Sequence, residues 1–210
     1  MLEKEIRGKA KIKYLLYLPE NYKKFETEWP MILFLHGAGE RGENLQKVKL
    51  HGPLKLIESG EQFPFIIVAP QCPEDQWWSL DNLDDLLNNI TENYNIDENR
   101  ICVTGLSMGG YGTWALAIKY PSRFAALAPI CGGGEPPKVH VLKDVPIWVF
   151  HGAKDEVVPI QKSQEMVDAL NSIDANVKFT IYPEAGHDSW TETYANPALY
   201  EWFLQYKKTE

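Results

Sequence analysis

Short apolar runs recur along the chain, separated by longer polar or amphipathic stretches. Seven of them have the length of strands and are rich in β-branched or aromatic residues. They lie at residues 11–18, 31–36, 65–70, 100–105, 124–130, 146–152 and 177–183. Several are apolar at successive positions, so both faces of the strand need to be covered. This pattern is typical of a parallel sheet with helices packed on both of its faces.

The stretches between the runs carry helical periodicity. Leu83, Leu86, Leu87 and Ile90 recur at three- and four-residue steps behind Ser79, which is a good N-cap residue. Three further periods predict helices at residues 107–120, 166–170 and 199–206. Strands and helices alternate, which predicts an α/β fold with right-handed crossovers.

The length of the chain indicates how many domains to expect, and its charge indicates which partners it is expected to repel. A chain of 210 residues is within what one sheet with flanking helices can organise, so we expect a single domain over residues 1–210. The formal net charge is −8, from 29 acidic and 21 basic residues that are spread along the chain. A surface of this charge repels nucleic-acid backbones and anionic lipids, so we expect neither nucleic acid nor a membrane as a partner.

From the sequence we expect no membrane-spanning segment, no export signal and no metal site. Its longest apolar runs are too short to cross a bilayer, and residues 1–11 contain no apolar segment after their charges. We expect a cytoplasmic protein, or a secreted one if this chain is a trimmed mature form. Spacings such as C-x-x-C or H-E-x-x-H are lacking, so no metal site is expected.

One serine stands in a glycine-rich turn. Gly105, Leu106, Ser107, Met108 and Gly109 form the pattern G-x-S-x-G between a predicted strand and a predicted helix. In that context the pattern describes a strained turn that lifts the serine hydroxyl above the sheet, with glycines where a Cβ would strike a neighbouring element. A serine hydroxyl needs a base to remove its proton and a carboxylate to orient that base. Ser107 is therefore a candidate nucleophile.

Asp155 and His187 follow Ser107 in the chain order serine, acid, histidine that this topology uses. Each lies in a loop directly after a predicted strand, at the edge where open α/β sheets place their ligands. The neighbouring acids Asp188 and Glu156 are less suitably placed. Four other histidines are present, at positions 36, 51, 140 and 151, and we expect those at 36 and 151 to satisfy turn backbone.

Acyl transfer also needs hydrogen-bond donors for the developing oxyanion. The backbone N–H of Met108 follows the candidate nucleophile, and the N–H of Ala38 lies in a loop after an earlier strand, as this topology requires. The same loop, residues 37–42, also matches the dinucleotide pattern G-x-G-x-x-G. Its acidic residues would repel a pyrophosphate, so a nucleotide site is the weaker interpretation.

Six segments of the chain, in the same order, resemble the compact bacterial α/β-hydrolase esterases. The segments are HGAGERG, APQCP followed by WW, GLSMGGYGTWALA, YPSRFAALAPICGGG, PIWVFHGAKDEVVP and YPEAGHDSW. The family is related to feruloyl and acetyl-xylan esterases and to polyhydroxybutyrate depolymerases, and its members are often described as peptidases or carboxylesterases. The resemblance covers nearly the whole chain.

The resemblance implies an α/β-hydrolase fold with an eight-stranded, mostly parallel sheet. It also implies that Ser107, Asp155 and His187 occupy the triad positions and that Ala38 and Met108 are the oxyanion donors. The stretch between residues 124 and 146 has no insertion long enough for a large lid. An open site for short acyl esters, or for an ester at the edge of a larger molecule, follows from this.

The chain has three widely spaced cysteines, Cys72, Cys102 and Cys131. In the sheet of the family that the chain resembles, two other strands separate the strand ending near residue 70 from the strand ending near residue 130. At about 4.8 Å per strand, Cys72 and Cys131 are too far apart for a disulfide without loop excursions. Free thiols are therefore predicted.

Four side chains in the same loops are candidate substrate contacts: Trp78, Trp77, Trp190 and Gln71. Aromatic side chains in such loops stack on sugars or aromatic acids, or they roof the core. Gln71 is either a polar contact or a turn residue. Both alternatives stay open for each of the four, whereas Trp114, on the helix behind the candidate nucleophile, is expected to pack in the core.

These observations predict a serine carboxylesterase that needs no metal or organic cofactor. Its expected substrates are short-chain esters or acetyl and feruloyl esters linked to plant polysaccharides, and its expected mechanism has an acyl-enzyme intermediate. A peptidase or amidase with the same residues is the first alternative. A non-catalytic binding module is the second, and the oligomeric state is left open.

Overall fold

The computed structural model describes residues 1–7, 11–23 and 26–208 of the chain. Eight strands form one sheet in the order β1-β2-β4-β3-β5-β6-β7-β8. Their bounds are β1 Leu2–Arg7, β2 Lys11–Tyr17, β3 Trp29–Leu35, β4 Ile66–Pro70, β5 Ile96–Leu106, β6 Ala126–Ile130, β7 Ile147–Gly152 and β8 Val177–Tyr182. Only the β1–β2 and β2–β4 pairs are antiparallel. The prediction of an eight-stranded, mostly parallel sheet is confirmed.

Six α-helices lie within the described residues: α1 Gly52–Glu58, α2 Leu80–Asn93, α3 Met108–Lys119, α4 Gln161–Asn171, α5 Trp190–Ala195 and α6 Pro197–Leu204. The four predicted helices correspond to α2, α3, α4 and α6. Ser79 caps α2 as its residue type predicts, because its Oγ accepts the N–H of Asn82. No helix in this part of the chain combines the length and the apolar content needed to cross a membrane.

Two hydrophobic layers cover the sheet, one on each face. Leu33 and Leu35 of β3 point into a layer built with α2, α3 and α4, which contains the fully buried Trp114. The alternate residues Ile32 and Phe34 point into a second layer, which is built with α1, α5 and α6. Both sides of β3 are therefore buried, as its uninterrupted apolar run predicts.

One strand and two α-helices were not predicted from the hydrophobic pattern. The strand β1 has the sequence LEKEIR and lies at the edge of the sheet, where charged side chains are tolerated. The helices α1 and α5 have seven and six residues, which is too short to establish a period. In addition, α1 begins with Gly52 and Pro53, which are typical loop residues in a sequence.

The cysteines are free and buried. In the sheet, two strands, β3 and β5, lie between β4 and β6, and these two strands therefore separate the strand ends near Cys72 and Cys131. The prediction of free thiols is confirmed. Burial raises the pKa of the Cys72 thiol to about 11 and that of Cys131 to about 12.

The strands β3, β5, β7 and β8 are mutually parallel, so their carboxyl ends meet at one edge of the sheet. The loops that follow these four strands carry Ala38, Ser107, Asp155 and His187. This is the edge at which open α/β sheets bind ligands. The topology therefore collects residues from distant parts of the chain at one place.

His36 fastens the end of β3 to the loop after β4. Its Nε2 lies 3.0 Å from the backbone N of Cys72, and its Nδ1 lies 2.6 Å from the carbonyl oxygen of Gly37. Because the Cys72 N–H donates, Nε2 is the unprotonated nitrogen and Nδ1 carries the hydrogen. The ring is fully buried, and burial lowers the pKa of His36 from 6.5 to about 4. The expectation that His36 satisfies turn backbone is confirmed.

This burial makes stability depend on pH between about 4 and 6.5. In that window the unfolded chain protonates His36 and the native protein does not, so the free energy of unfolding falls as pH falls. The loss from this one group amounts to about 3 kcal/mol over the window. In His36→Asn, which lacks the titrating ring, we expect lower stability at pH 7 but a shallower fall on acidification, measured by urea unfolding.

The stability gap between wild type and His36→Asn should therefore narrow from pH 7 towards pH 4. His140→Asn, which removes an exposed imidazole, serves as the matched control for the loss of a histidine. Parallel pH profiles for wild type and His36→Asn would contradict the assignment of a neutral, buried His36.

Candidate active site

Ser107 sits on a strained turn between β5 and α3. Its backbone has φ 53° and ψ −116°, a conformation that residues with a side chain rarely adopt and that costs about 1–3 kcal/mol. Its N–H donates to the carbonyl of Ile130 at 3.0 Å, which fastens the turn to the end of β6. The side chain stays partly exposed.

The glycines on either side of Ser107 are required by backbone contacts. A Cβ at Gly105 would lie 2.4 Å from the carbonyl oxygen of Gly109, and a Cβ at Gly109 would lie 1.9 Å from that of Leu35. Real Cβ atoms essentially never approach so closely. Helix α3 therefore begins in direct contact with the end of β3, and the cluster of glycines in the sequence reflects this contact.

His187 lies in a 3₁₀ turn, His187–Ser189, which follows β8. Its Nε2 is 2.9 Å from the Oγ of Ser107, and its Nδ1 is 2.7 Å from Oδ2 of Asp155. The Trp190 ring packs edge-on against the imidazole with ring centroids 5.1 Å apart. The structure thus brings the three predicted residues, here called the candidate triad, into one chain of hydrogen bonds.

The carboxylate of Asp155 is buried and surrounded by donors. Its Oδ1 accepts the backbone N–H groups of Val157 and Val158, both at 2.9 Å. Its Oδ2 faces His187 and also the Nε2 of His151, at 2.7 and 3.2 Å. A carboxylate held in this way keeps a fixed orientation and favours an imidazole that carries its hydrogen on Nδ1. The Nε2 of His187 is then free to accept the Ser107 proton.

His151 is a contact that the sequence reasoning only partly identified. Its Nε2 lies 2.8 Å from the carbonyl oxygen of Val158, in agreement with the expected turn contact. The additional approach to Asp155 joins it to the candidate triad. Both neighbours of Nε2 are acceptors, so this nitrogen carries the hydrogen, and burial lowers the pKa of His151 and keeps the ring neutral. The four-residue step from His151 to Asp155 was the available signal.

Cys131 lies beneath the candidate triad. Its Sγ, a carboxylate oxygen of Asp155 and a ring nitrogen of His187 lie within 4.8 Å of one another, a spacing that metal ligands can have. The thiol is a poor ligand, however, because burial raises its pKa to about 12 and keeps it protonated at neutral pH. Asp155 and His187 are moreover hydrogen-bonded to each other, which occupies the atoms that would bind a metal. We interpret Cys131 as packing.

The two candidate oxyanion donors lie on the facing sides of the contact between α3 and β3. Met108 is the first residue of α3, so its N–H has no partner within the helix. Ala38 lies in the loop after β3, here called the HGAGE loop (residues 36–40), and is exposed. A Cβ at Gly109 would also lie 2.7 Å from the carbonyl oxygen of His36, so this loop packs directly on the start of α3.

The candidate substrate contacts separate into different environments. Trp77 is 66% exposed, whereas Trp78 is buried and packs on the ring of His36 with centroids 4.7 Å apart. A cleft of about 270 Å³ lies between these tryptophans and Tyr111, which is one helical turn from Ser107. Trp190 is not among the residues that line this cleft; its ring lies between the rings of His187 and His51.

Gln71 is a turn residue. It is 5% exposed, and its side-chain amide donates to the carbonyl oxygens of Glu40 and Asn44, both at 2.8 Å. These bonds fasten the HGAGE loop to the end of β4. Of the two alternatives for Gln71, this environment favours a turn residue over a substrate contact, because both amide hydrogens are used inside the protein.

Comparison with known proteins finds several esterases that are similar to this chain. The profile of the family described as "Dienelactone hydrolase family" matches residues 74–205. The bifunctional acetylxylan esterase/xylanase XynS20E of Neocallimastix patriciarum is 27% identical over 70% of this chain and 22% of its own length. A probable feruloyl esterase C of Aspergillus terreus is 26% identical over 74% of this chain and 59% of its own length.

A solved structure described as a thermostable esterase superposes with a TM-score of 0.87 and 34% identity. It covers 99% of this chain, which in turn spans 63% of it, so the chain spans less than two thirds of each of these three proteins. The resemblance to esterases with the α/β-hydrolase fold is confirmed, although the sequence analysis did not name the family whose profile matches. The chain belongs to the dienelactone hydrolase family.

Proposed function

We propose that the chain is a serine carboxylesterase that acts through an acyl-enzyme intermediate. The observation that carries the proposal is the hydrogen-bond chain from Ser107 Oγ to His187 Nε2 at 2.9 Å and from His187 Nδ1 to Asp155 Oδ2 at 2.7 Å. These distances are within the range that a general base and its orienting carboxylate require. Family membership supports the same reaction class.

In the proposed first half-reaction, Ser107 Oγ attacks the ester carbonyl carbon while His187 Nε2 takes its proton. The negative charge that develops on the carbonyl oxygen is stabilised by the N–H groups of Ala38 and Met108. Asp155 stabilises the imidazolium through Nδ1–H. When the C–O bond to the alcohol breaks, His187 returns the proton to the leaving oxygen, and the acyl group stays on Ser107.

In the second half-reaction, water replaces the alcohol and His187 again acts as the base. Attack of water on the acyl carbon regenerates the tetrahedral oxyanion, and its collapse releases the carboxylic acid and returns the proton to Ser107. This chain's own side chains and backbone supply every group that the scheme uses. Residues 1–210 are proposed to act as one catalytic domain.

The proposed substrates are short-chain esters and acetyl or feruloyl esters linked to plant polysaccharides. The acetylxylan esterase and feruloyl esterase named above support this choice. The cleft beside Tyr111 supports it independently, because the exposed face of Trp77 suits an aromatic or sugar ring. The stretch between β6 and β7, residues 131–146, is short and leaves that side of the site accessible.

Ser107→Ala should lower kcat about 10⁴-fold or more, because the remaining groups can stabilise an oxyanion but cannot form the acyl-enzyme. Hydrolysis of p-nitrophenyl acetate measures the loss, and intact-mass analysis with a fluorophosphonate should show one adduct, on Ser107. Ser122→Ala, at an exposed serine in the turn that follows α3, is the matched control. Activity above a tenth of wild type in Ser107→Ala would remove this serine from the mechanism.

An ester should be hydrolysed far faster than an amide with the same acyl group. The reason is that an amine is a much poorer leaving group than an alcohol, and an amidase has to be built to protonate it. Comparing p-nitrophenyl acetate with p-nitroacetanilide, which has the same acyl group, tests this, and an amino-acid p-nitroanilide extends the comparison to a peptidase substrate. Comparable kcat/KM values would favour a peptidase, and failure of the fluorophosphonate to label the protein would favour a binding module.

Trp77→Ala should raise KM for methyl ferulate about 5- to 10-fold, which corresponds to the loss of one aromatic contact of about 1 kcal/mol. KM for ethyl acetate, which has no ring to stack, should change less than about twofold on the same scale. Trp77→Phe keeps a ring at this position and should recover most of the ferulate affinity. An equal rise in KM for both esters would mean that Trp77 does not contact the aromatic ring of the ferulate.

A further inference from the structure

The HGAGE loop contains a buried carboxyl group that the proposed mechanism does not use. The side chain of Glu40 is 8% exposed, although Ala38 and Gly39 in the same loop are exposed. Burying a carboxyl group is costly unless it is hydrogen-bonded or paired with a cation. Among the described residues, the basic atoms within 4.0 Å of it are Nδ1 of His36 at 3.9 Å and Nε2 of His51 at 3.7 Å.

The short contact of this carboxyl group is to the backbone. Glu40 Oε2 accepts the N–H of Gly37 at 2.9 Å. The backbone of Glu40 is itself fixed, because its carbonyl accepts the side-chain amide of Gln71. Glu40 therefore connects the anchored end of the HGAGE loop to the residue that precedes Ala38.

Gly37 is held on both of its peptide groups. Its N–H is bound by Glu40, and its carbonyl oxygen lies 2.6 Å from Nδ1 of His36. That carbonyl belongs to the same peptide group as the N–H of Ala38. In a trans peptide the C=O and the N–H point in opposite directions, so a carbonyl fixed on the buried His36 ring directs the Ala38 N–H away from that ring.

The space beside Gly37 is occupied by two side chains. A Cβ built on Gly37 would lie 2.8 Å from the Leu106 side chain and 3.2 Å from Oε2 of Glu40. Leu106 is the residue directly before Ser107. Gly37 therefore lies next to both the carboxyl group of Glu40 and the residue that precedes the candidate nucleophile.

We infer that Glu40 is a positioning residue for the oxyanion donor: by accepting the Gly37 N–H, its carboxyl group fixes Gly37, whose carbonyl group forms the peptide that presents the Ala38 N–H to the developing oxyanion. The inference rests on the proposed esterase function. It assigns to Glu40 no contact with the substrate. Its effect appears in the transition state, where the oxyanion exists, and not in the binding of the ground-state ester.

Two variants of Glu40 separate the hydrogen bond from simple packing. Glu40→Gln keeps the length of the side chain and an oxygen that accepts the Gly37 N–H. Glu40→Asp keeps the charge but withdraws the acceptor by about 1.5 Å, one methylene group. Glu43→Gln is the matched control, since Glu43 lies three residues further on with a side chain that is 78% exposed.

In Glu40→Asp, kcat should fall about 10-fold or more while KM changes less than about threefold, because misplacing one oxyanion donor weakens only the transition state. Glu40→Gln should keep kcat within about threefold of wild type on the same grounds, and Glu43→Gln should match wild type. Thermal unfolding establishes that each variant is folded. If Glu40→Asp does not fold, Glu40→Met, which fills the space without an acceptor, replaces it with the same expected loss.

An alkyl trifluoromethyl ketone supplies a readout that a purely structural role would not change. Ser107 Oγ adds to its carbonyl carbon, His187 takes the proton, and the carbonyl oxygen becomes an oxyanion held by the same donors. Its inhibition constant should rise in Glu40→Asp by the factor by which kcat/KM falls.

Three results would overturn the inference: a folded Glu40→Asp or Glu40→Met with wild-type kcat, equal losses in Glu40→Gln and Glu40→Asp, or an unchanged inhibition constant in the impaired variant. Wild type and Glu43→Gln carry the test of the proposed function itself. If neither hydrolyses p-nitrophenyl acetate, the esterase proposal fails. If both do and Glu40→Asp equals them, only the role of Glu40 fails.

Discussion

The backbones of α3 and β3 touch with no side chain between them, and the arrangement of the candidate site depends on that contact. Gly109 meets the carbonyl oxygens of both Leu35 and His36, so the turn carrying Ser107 and the loop carrying Ala38 are held at one spacing. Side chains adjust by rotating, whereas two packed backbones have little freedom to do so. A hydroxyl and a backbone N–H that have to act on the same carbonyl group gain from this rigidity.

At the same edge, backbone N–H groups and imidazole rings surround two buried acids. Asp155 faces two backbone N–H groups and two imidazoles, and Glu40 faces one backbone N–H and two imidazoles at longer range. Neither acid has a lysine or arginine within ion-pair distance in the described part of the chain. Histidine and peptide donors fix the position of a carboxylate without the flexible stem of a lysine. The two acids thereby orient the base and the HGAGE loop.

Much of the fold and of the candidate site could be predicted from the sequence, and the features that were not predicted were missed for physical reasons. The seven apolar runs became β2 to β8, and the pattern is clearest for the central strands, which are buried on both faces, whereas the charged edge strand β1 leaves no such pattern. The loops after β5, β7 and β8 identified Ser107, Asp155 and His187 by their order. The environments of Glu40, Gln71 and Trp77 depend on which loops pack together, and the sequence of one loop does not contain that information.

Positive φ angles at Ser107 and at Cys131 place two strained residues at the ends of the neighbouring strands β5 and β6. Each costs on the order of 1–3 kcal/mol, which the surrounding packing offsets. Moderate heating loosens packing before it melts the sheet, and the conformations that depend most on external support relax first. Thermal inactivation of this protein is therefore expected to begin as a local event at the carboxyl edge of the sheet, before the cooperative transition.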